Sequence, residues 1–274
     1  MSPFIHRRLF ELSGICASYE AFETAPDLLK ERVEFLKGFD GFNITIPHKE
    51  TMIPLTDYIH ESAKIYGAVN TVAVKDGMIT GYNTDADGFK AALSLEDIPL
   101  TGKVLICGCG GVARTIAIEC VRSGCEVTIS ARNPGSARAL SLVNEIKTRF
   151  GADIRLKTIF DSEDPIKPVS DLDEDFDLAV NGTSVGMHPK ADSSVLQDGL
   201  LLRTKAVFDT VYNPENTLLT KRARDLGVKA VSGMGMLVMQ AAKAHHYWYG
   251  ARFKNSDMKI LVEEANDEMR RLFC

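Results

Sequence analysis

The chain has 274 residues, 45% of them apolar, enough for one large or two moderate domains with sizeable cores. A formal net charge of −5 weighs against broad binding to nucleic acid or to an acidic membrane surface. No apolar run approaches the roughly 18 residues that span a bilayer, and the start "MSPFIHRRLF" has neither an h-region nor a cleavage site, so a cytoplasmic protein is expected.

In chain order, Ser2-Pro3 supplies an N-cap and a first helical position, followed by Phe4, Ile5, Leu9 and Leu12 at helical spacing. A strand is expected around Ser18 to Phe22, a helix from about Pro26 to Lys37, and a strand from Asn43 to Ile46. Pro47 stops that strand, which delivers His48-Lys49-Glu50 at its tip. A helix near Glu61 precedes two strands around the "KDG" turn at Lys75 to Gly77. From Gly102 the pattern becomes strand, glycine loop, helix, strand. Further strands are expected at Asp177 to Asn181 and Val207 to Val211. Helices from about Met234 to Tyr249 and Ser256 to Leu272 close the chain. Strands alternating with helices of this length predict parallel sheets built from βαβ units, an α/β fold.

Six cysteines (Cys16, Cys107, Cys109, Cys120, Cys125, Cys274) do not form a disulfide framework in a chain this long. The Cys107-x-Cys109 pair has no matching His or Cys pair downstream, so small buried side chains are expected rather than metal ligands.

Val104 to Cys107 is a continuous apolar strand, as a sheet covered on both faces requires. It runs into Gly108-Cys109-Gly110-Gly111-Val112-Ala113 and then an apolar helix. Glycines there let the backbone turn sharply and approach a pyrophosphate held by amides at the helix N-terminus. The spacing is G-x-G-G-x-A, with Ala113 in the third small position. A tight strand–helix turn without a ligand is the alternative, but a second strand on schedule favours dinucleotide binding. That strand's tip reads "TISARNPGS", with no carboxylate between Val127 and Ser136. An NAD-type site wants an acid at this tip and a 2′-phosphate wants a cation, so Arg132 favours NADP over a merely solvated loop arginine. Arg138 and Arg114 are candidates to assist.

Asn181-Gly182-Thr183 follows an apolar strand at the sheet's carboxyl edge, where open α/β folds bind ligands, and Tyr212 ends a similar unit in "FDTVYNP". Gln240 is a lone polar residue in "GMGMLVMQA", either a partly exposed helix position or a contact. Lys49, read by itself, is first of all a solvated turn lysine.

Together, "SPFIH", "NITIPHKE", "GAVNTV", "GYNTDADGF", "GCGGVA", "NGTSVGM", "DTVYNP" and "GMGMLVMQA" resemble the shikimate dehydrogenase family in order and spacing, over nearly the whole chain. The resemblance implies NADP-dependent reduction of 3-dehydroshikimate to shikimate, on the route to aromatic amino acids. It implies an α/β substrate domain (residues 1–86 plus 233–274) and an inserted Rossmann-like NADP-binding domain (87–232), with C-terminal helices returning to the first. It makes Lys49 and Asp85 the catalytic pair. Ser2, Thr45, Asn70, Tyr212 and Gln240 become substrate contacts. Gly108, Gly110, Gly111, Val112, Ala113, Arg132, Thr183 and Gly233 become cofactor contacts, with Gly233 meeting the nicotinamide through its backbone. Asn43 reads as structural support. The chemistry is coherent: hydride delivered to a ketone leaves an alkoxide, which wants a nearby proton donor or positive charge.

Two departures stand out. Family members begin with an extra strand and "H-S-x-S-P", of whose two serines only the second is matched here, by Ser2. "ARNPGSAR" replaces the usual N-R-T loop, keeping Arg132 and displacing the next basic residue to Arg138. A quinate/shikimate dehydrogenase with NAD or relaxed cofactor use and a non-catalytic dinucleotide-binding regulator are the competing expectations. No nucleic-acid or membrane partner is expected, and a homodimer or an associated shikimate-pathway module is.

Overall fold

The computed structural model describes residues 1–158 and 174–273. Cys274, one of the six cysteines, lies outside them. The chain divides into two compact units, Met1–Gly88 with Leu237–Ala265, and Phe89–Met236 with Asn266–Cys274. The sequence-based division differs at three points. The cuts fall two residues later at the first crossing and four later at the second, and the tail from Asn266 groups with the second unit.

The first unit carries a four-stranded sheet of β1 (Gly41–Asn43), β2 (Tyr58–Ile59), β3 (Thr71–Lys75) and β4 (Met78–Tyr82), in the order β1-β3-β4-β2. It is mixed rather than all parallel. β3 runs antiparallel to β1 and β4, because a two-residue turn, Asp76-Gly77, joins β3 to β4. Both turn residues have positive φ (52° and 75°), the conformation that matches hairpin twist. Helices α1 (Ser2–Ser13), α2 (Leu29–Leu36) and α3 (Glu61–Tyr66) belong to this unit. So do the start of α4 (Asp85–Leu95), most of α9 (Gly233–Tyr249) and the first part of α10 (Asn255–Phe273). Val33 and Met52 pack with Phe42, Val72 and Ile79 of the sheet to form its core.

Two expected strands are corrected. β1 ends at Asn43 instead of reaching Ile46. Its ladder with β3 stops at the Asn43–Thr71 pair, and only the Ile44 amide reaches further, to the Asn70 carbonyl at 2.8 Å. Ile46 then stands 82% exposed, so no core holds the chain extended. Residues 18–22 form no strand at all. They lie in an irregular stretch pinned by side chains, with the Tyr19 hydroxyl on Asn43 Oδ1 (3.2 Å) and His48 Nε2 on the Thr24 carbonyl (2.9 Å). The expected helix from Pro26 begins as a 3-10 turn, Pro26–Leu28, before α2.

The second unit is built on a six-stranded, all-parallel sheet. It comprises β5 (Lys103–Cys107), β6 (Glu126–Ser130), β7 (Arg155–Lys157), β8 (Leu178–Asn181), β9 (Ala206–Asp209) and β10 (Lys229–Val231), in the order β10-β9-β8-β5-β6-β7. This is the doubly wound arrangement, with its switch point between β5 and β8. Helices α5 (Gly111–Arg122), α6 (Ala137–Phe150), α7 (Asp198–Leu201) and α8 (Leu218–Asp225) connect its strands. Leu105, Phe176, Val207 and Leu219 are among its fully buried core.

The aromatic end of α9 ties the first unit together. Trp248, the only tryptophan, donates from Nε1 to the Val72 carbonyl at 2.8 Å. His245 and His6, both buried, share a hydrogen bond of 3.0 Å between Nε2 and Nδ1, and the His6 ring stacks on Tyr19 at 3.9 Å. The bond needs one donor and one acceptor nitrogen, so at least one of the two imidazoles is neutral. Burial lowers His6 to about 3, with His245 reinforcing the shift, and burial lowers His245 to about 4.

Both histidines stay neutral in the fold but bind protons near pH 6.5 when unfolded. The unfolded state therefore holds more protons below 6.5, and stability falls as pH drops from 6.5 toward 4. Each histidine contributes a slope of up to about 1.4 kcal/mol per pH unit. Denaturant titrations at successive pH values should show this decline, and His245→Phe should lose about half of the histidine share of the slope.

Candidate active site

Lys49 sits just past β1, and Asp85 is the first residue of α4, immediately after β4. They are 36 positions apart, yet Lys49 Nζ donates to both Asp85 oxygens, at 2.8 and 3.1 Å. The lysine side chain is 28% exposed and the aspartate 6%, so an ammonium with access to solvent is held by a carboxylate without it. The sequence explains the convergence. The Val69 amide bonds to the Lys49 carbonyl at 2.8 Å, fixing the segment after Pro47 beside the chain that enters β3. The Asn83 side chain accepts the Asp85 amide at 2.9 Å, capping the start of α4. A carboxylate in the first helical turn also faces the favourable end of the macrodipole.

Asn70 Nδ2 donates to Asp85 Oδ1 at 2.9 Å and to Thr84 Oγ1 at 3.1 Å, while its Oδ1 accepts the Thr84 amide at 2.8 Å. Asn43 works as a support: its Nδ2 donates to Thr71 Oγ1 at 2.9 Å, and Thr71 Oγ1 donates to Asn70 Oδ1 at 3.1 Å. A continuous chain thus runs from Tyr19 through Asn43, Thr71 and Asn70 to the carboxylate. Thr71, Asn83 and Thr84 are the residues sequence reasoning passed over. Two Asn-Thr pairs, at the start of β3 and just past β4, were the signal, since buried polar dipeptides in apolar strands need partners.

Of the remaining first-unit candidates, Ser2 lies half-buried in the first turn of α1, Thr45 is exposed, and Gln240 is half-buried on α9. None makes a side-chain hydrogen bond to the Lys49–Asp85 cluster among the described residues. Tyr212, Gly233 and Thr183 belong to the second unit. Tyr212 is 39% exposed and Gly233 is buried against the Thr210 carbonyl.

The glycine loop of the second unit follows β5 at the switch point. Gly108 has φ of +105°, and a Cβ there would come within 2.8 Å of Thr183 Cγ2, so both conformation and space require glycine. Gly182 lies as close to Ala113: a Cβ on it would meet the Ala113 methyl at 2.7 Å. Gly110 is the N-cap of α5 and offers no side-chain cap, and Cβ atoms at Gly110 or Gly111 would meet nothing within 4 Å. The first amides of a 12-residue helix therefore face outward without a protein side-chain acceptor, which suits a pyrophosphate. Arg132, two residues past β6, is exposed with no ion-pair partner among the described residues, and so is Arg138. Arg114 instead forms a two-point pair with Glu145, at 2.7 and 2.5 Å. The residues present fit a phosphorylated dinucleotide.

Of the cysteine pair, Cys107 is buried with its thiol pushed up to about 12, chiefly by burial, whereas Cys109 is half-exposed rather than buried. Among the described residues no three His, Cys, Asp or Glu side chains group as metal ligands, and no helix is long and apolar enough to cross a membrane.

Comparison with known proteins bears on the whole chain. A family model described as the shikimate dehydrogenase substrate binding domain matches residues 1–72. The shikimate dehydrogenase (NADP(+)) of Caldanaerobacter subterraneus subsp. tengcongensis is 36% identical over 273 residues, covering 98% of this chain and 93% of the relative. The chain belongs to the shikimate dehydrogenase family. Among solved structures, the shikimate 5-dehydrogenase of Thermus thermophilus in complex with NADP(H) and shikimate is 34% identical with a TM-score of 0.81, covering 96% of this chain and 94% of that one. A chorismate mutase/shikimate 5-dehydrogenase fusion protein from Clostridium acetobutylicum is 29% identical with a TM-score of 0.83, covering 98% and 93%. The mixed and parallel sheets described above thus belong to a fold that the chain shares with these structures.

Thr71→Val keeps the volume and deletes the hydroxyl that relays Asn43 to Asn70. It should cost about 1–2 kcal/mol of stability, measured by denaturant unfolding, because buried partners lose their hydrogen bond.

Proposed function

We infer that the protein is an NADP-dependent shikimate dehydrogenase, reversibly reducing 3-dehydroshikimate to shikimate in the pathway to aromatic amino acids. The observation that carries this reading is the Lys49–Asp85 pair at 2.8 Å, bracketed by Asn70. Bound NADPH supplies the hydride equivalent. The chain's own task is to bind a polyhydroxylated ring acid and to manage charge at one oxygen.

Lys49 serves as the cation facing that oxygen. As the carbonyl carbon becomes tetrahedral, negative charge grows on oxygen, and an ammonium already fixed by Asp85 stabilises it without reorganising. Asp85 in turn limits the rotamers of Lys49 and stands ready to accept a hydrogen bond from the substrate hydroxyl. Asn70 holds Asp85 through Nδ2 and belongs to the substrate contacts together with Ser2, Thr45, Tyr212 and Gln240. The α5 amides from Gly111 to Ala113 hold the pyrophosphate with Gly108 and Gly110, Thr183 lines the same edge, and Gly233 offers its backbone to the nicotinamide. Arg132 would hold the 2′-phosphate, an oxyanion that its planar fork suits. The five cysteines among the described residues are free thiols, which fits action in a reducing cytoplasm.

Following reduced-nicotinamide absorbance with shikimate and NADP tests the assignment. Lys49→Ala should lower kcat by about 100-fold or more while dinucleotide affinity stays near wild type. A wild-type protein that binds NADP but does not turn over would establish the regulator instead. Arg132→Asp should raise the KM for NADP by about 10-fold or more and leave the KM for NAD nearly unchanged, since only the 2′-phosphate contact is lost.

A further inference from the structure

Beyond the residues assigned above, one buried carboxylate stands at the carboxyl edge of the parallel sheet. Asp209, the last residue of β9, has no solvent exposure. Its Oδ1 accepts from Asn181 Nδ2 at 2.9 Å and from the Val211 amide at 3.0 Å, and its Oδ2 accepts from Thr217 Oγ1 at 2.6 Å. All three donors are neutral. Burial pushes the group up to about 6 against the pull of these donors, so its charge is not placed there for stability. The neighbouring Cys107 thiol, pushed up to about 12, does not compete for its protons near neutral pH.

The donors gain direction from this carboxylate. Asn181 donates Nδ2 to Asp209 and to the Val185 carbonyl at 3.1 Å, which fixes which way its amide points. Its Oδ1 must then face the other side, where it accepts from the Thr183 amide at 3.0 Å and from Thr183 Oγ1 at 2.7 Å. Thr183 and Gly182 are the residues packed on Gly108 and Ala113 of the glycine loop. On its far side, Thr217 donates to Asp209 while accepting the Thr220 amide at 3.2 Å as the N-cap of α8. One side chain therefore joins the loop after β8 to the loop after β9.

We propose that Asp209 is a positioning residue for the dinucleotide: by orienting the Asn181 amide it seats Gly182 and Thr183 against the glycine loop. It acts through Asn181 and touches no ligand itself. The proposal rests on the dinucleotide reading of that loop.

The test compares Asp209→Ala and Asp209→Asn with wild type, by NADPH fluorescence titration and by steady-state kinetics on the full chain. Asp209→Ala frees Asn181 to rotate and should weaken NADPH binding and raise the KM for NADP by about 10-fold, with kcat and the KM for shikimate within about threefold. Asp209→Asn can still present an oxygen to Asn181 and Val211 and should recover most of the affinity. Thr217→Val removes only the Oδ2 donor and the α8 cap, so it should lower Tm while leaving dinucleotide affinity within about twofold. If Asp209→Ala does not fold, Asp209→Ser carries the same expectation, because its shorter hydroxyl cannot reach both loops. A purely structural Asp209 would lower Tm and leave the folded fraction's NADPH affinity unchanged, which overturns the proposal. Equal losses in the Ala and Asn variants overturn it too. Wild-type protein that binds no dinucleotide overturns the reading of the loop and the proposal together, whereas wild-type binding with unaltered variants overturns the proposal alone.

Discussion

Everything in the first unit that bears on chemistry depends on keeping one carboxylate in place. Asp85 is almost fully removed from solvent, and such a group is tolerated only when its oxygens are satisfied. Two separate segments meet that demand, Lys49 from beyond β1 and Asn70 from the entrance to β3, while Asn83, just past β4, holds the Asp85 backbone amide. None of these is a neighbour of Asp85 on a shared helix face or strand. The hairpin of β3 and β4 brings Asn70 and Asp85 together, and the bond between Val69 and Lys49 carries the lysine in from the other side. The fold around the sheet is a device for converging these backbones.

The second unit applies a related logic with different materials. At its switch point the positive end of α5 is left uncapped, and the tight approach of Gly108 to Thr183 and of Gly182 to Ala113 keeps the surrounding loops in register. Here, too, a buried aspartate does the organising, although Asp209 is met only by neutral donors while Asp85 is met by an ammonium. The carboxylate beside Lys49 holds an ammonium that reaches solvent, whereas the one between the two loops is met by directional neutral donors.

Much of this was legible in the sequence because the informative residues were out of place for their elements. Continuous apolar strands, a glycine run and a missing acid at the tip of β6 identified the parallel sheet and its ligand edge. The lysine after Pro47 and the aspartate after Asn83-Thr84 were recognisable as a pair only through the motifs around them. What escaped was set by tertiary partners rather than by local pattern. Residues 18–22 carry strand-like chemistry, but no ladder claims them: the Tyr19 hydroxyl bonds to the Asn43 side chain, and His48 holds the Thr24 carbonyl just beyond. Ile46 has strand chemistry and no core to bury in. The relay through Thr71 is invisible in one dimension, since it depends on β1 and β3 lying in a register that pairs Asn43 with Thr71. Asp209 was passed over for the same reason: its donors are 2, 8 and 28 positions away.

Trp248 adds a practical consequence. It is the sole indole in the chain, and it hangs from the carbonyl of Val72, one residue past the Asn70-Thr71 pair. Intrinsic emission at the red edge of protein absorption therefore reports on the mixed-sheet unit alone, blind to the parallel-sheet unit. Circular dichroism, by contrast, sums over both. Melting curves from the two signals would superimpose for a chain that unfolds in one cooperative step and would part company for one whose halves come undone separately.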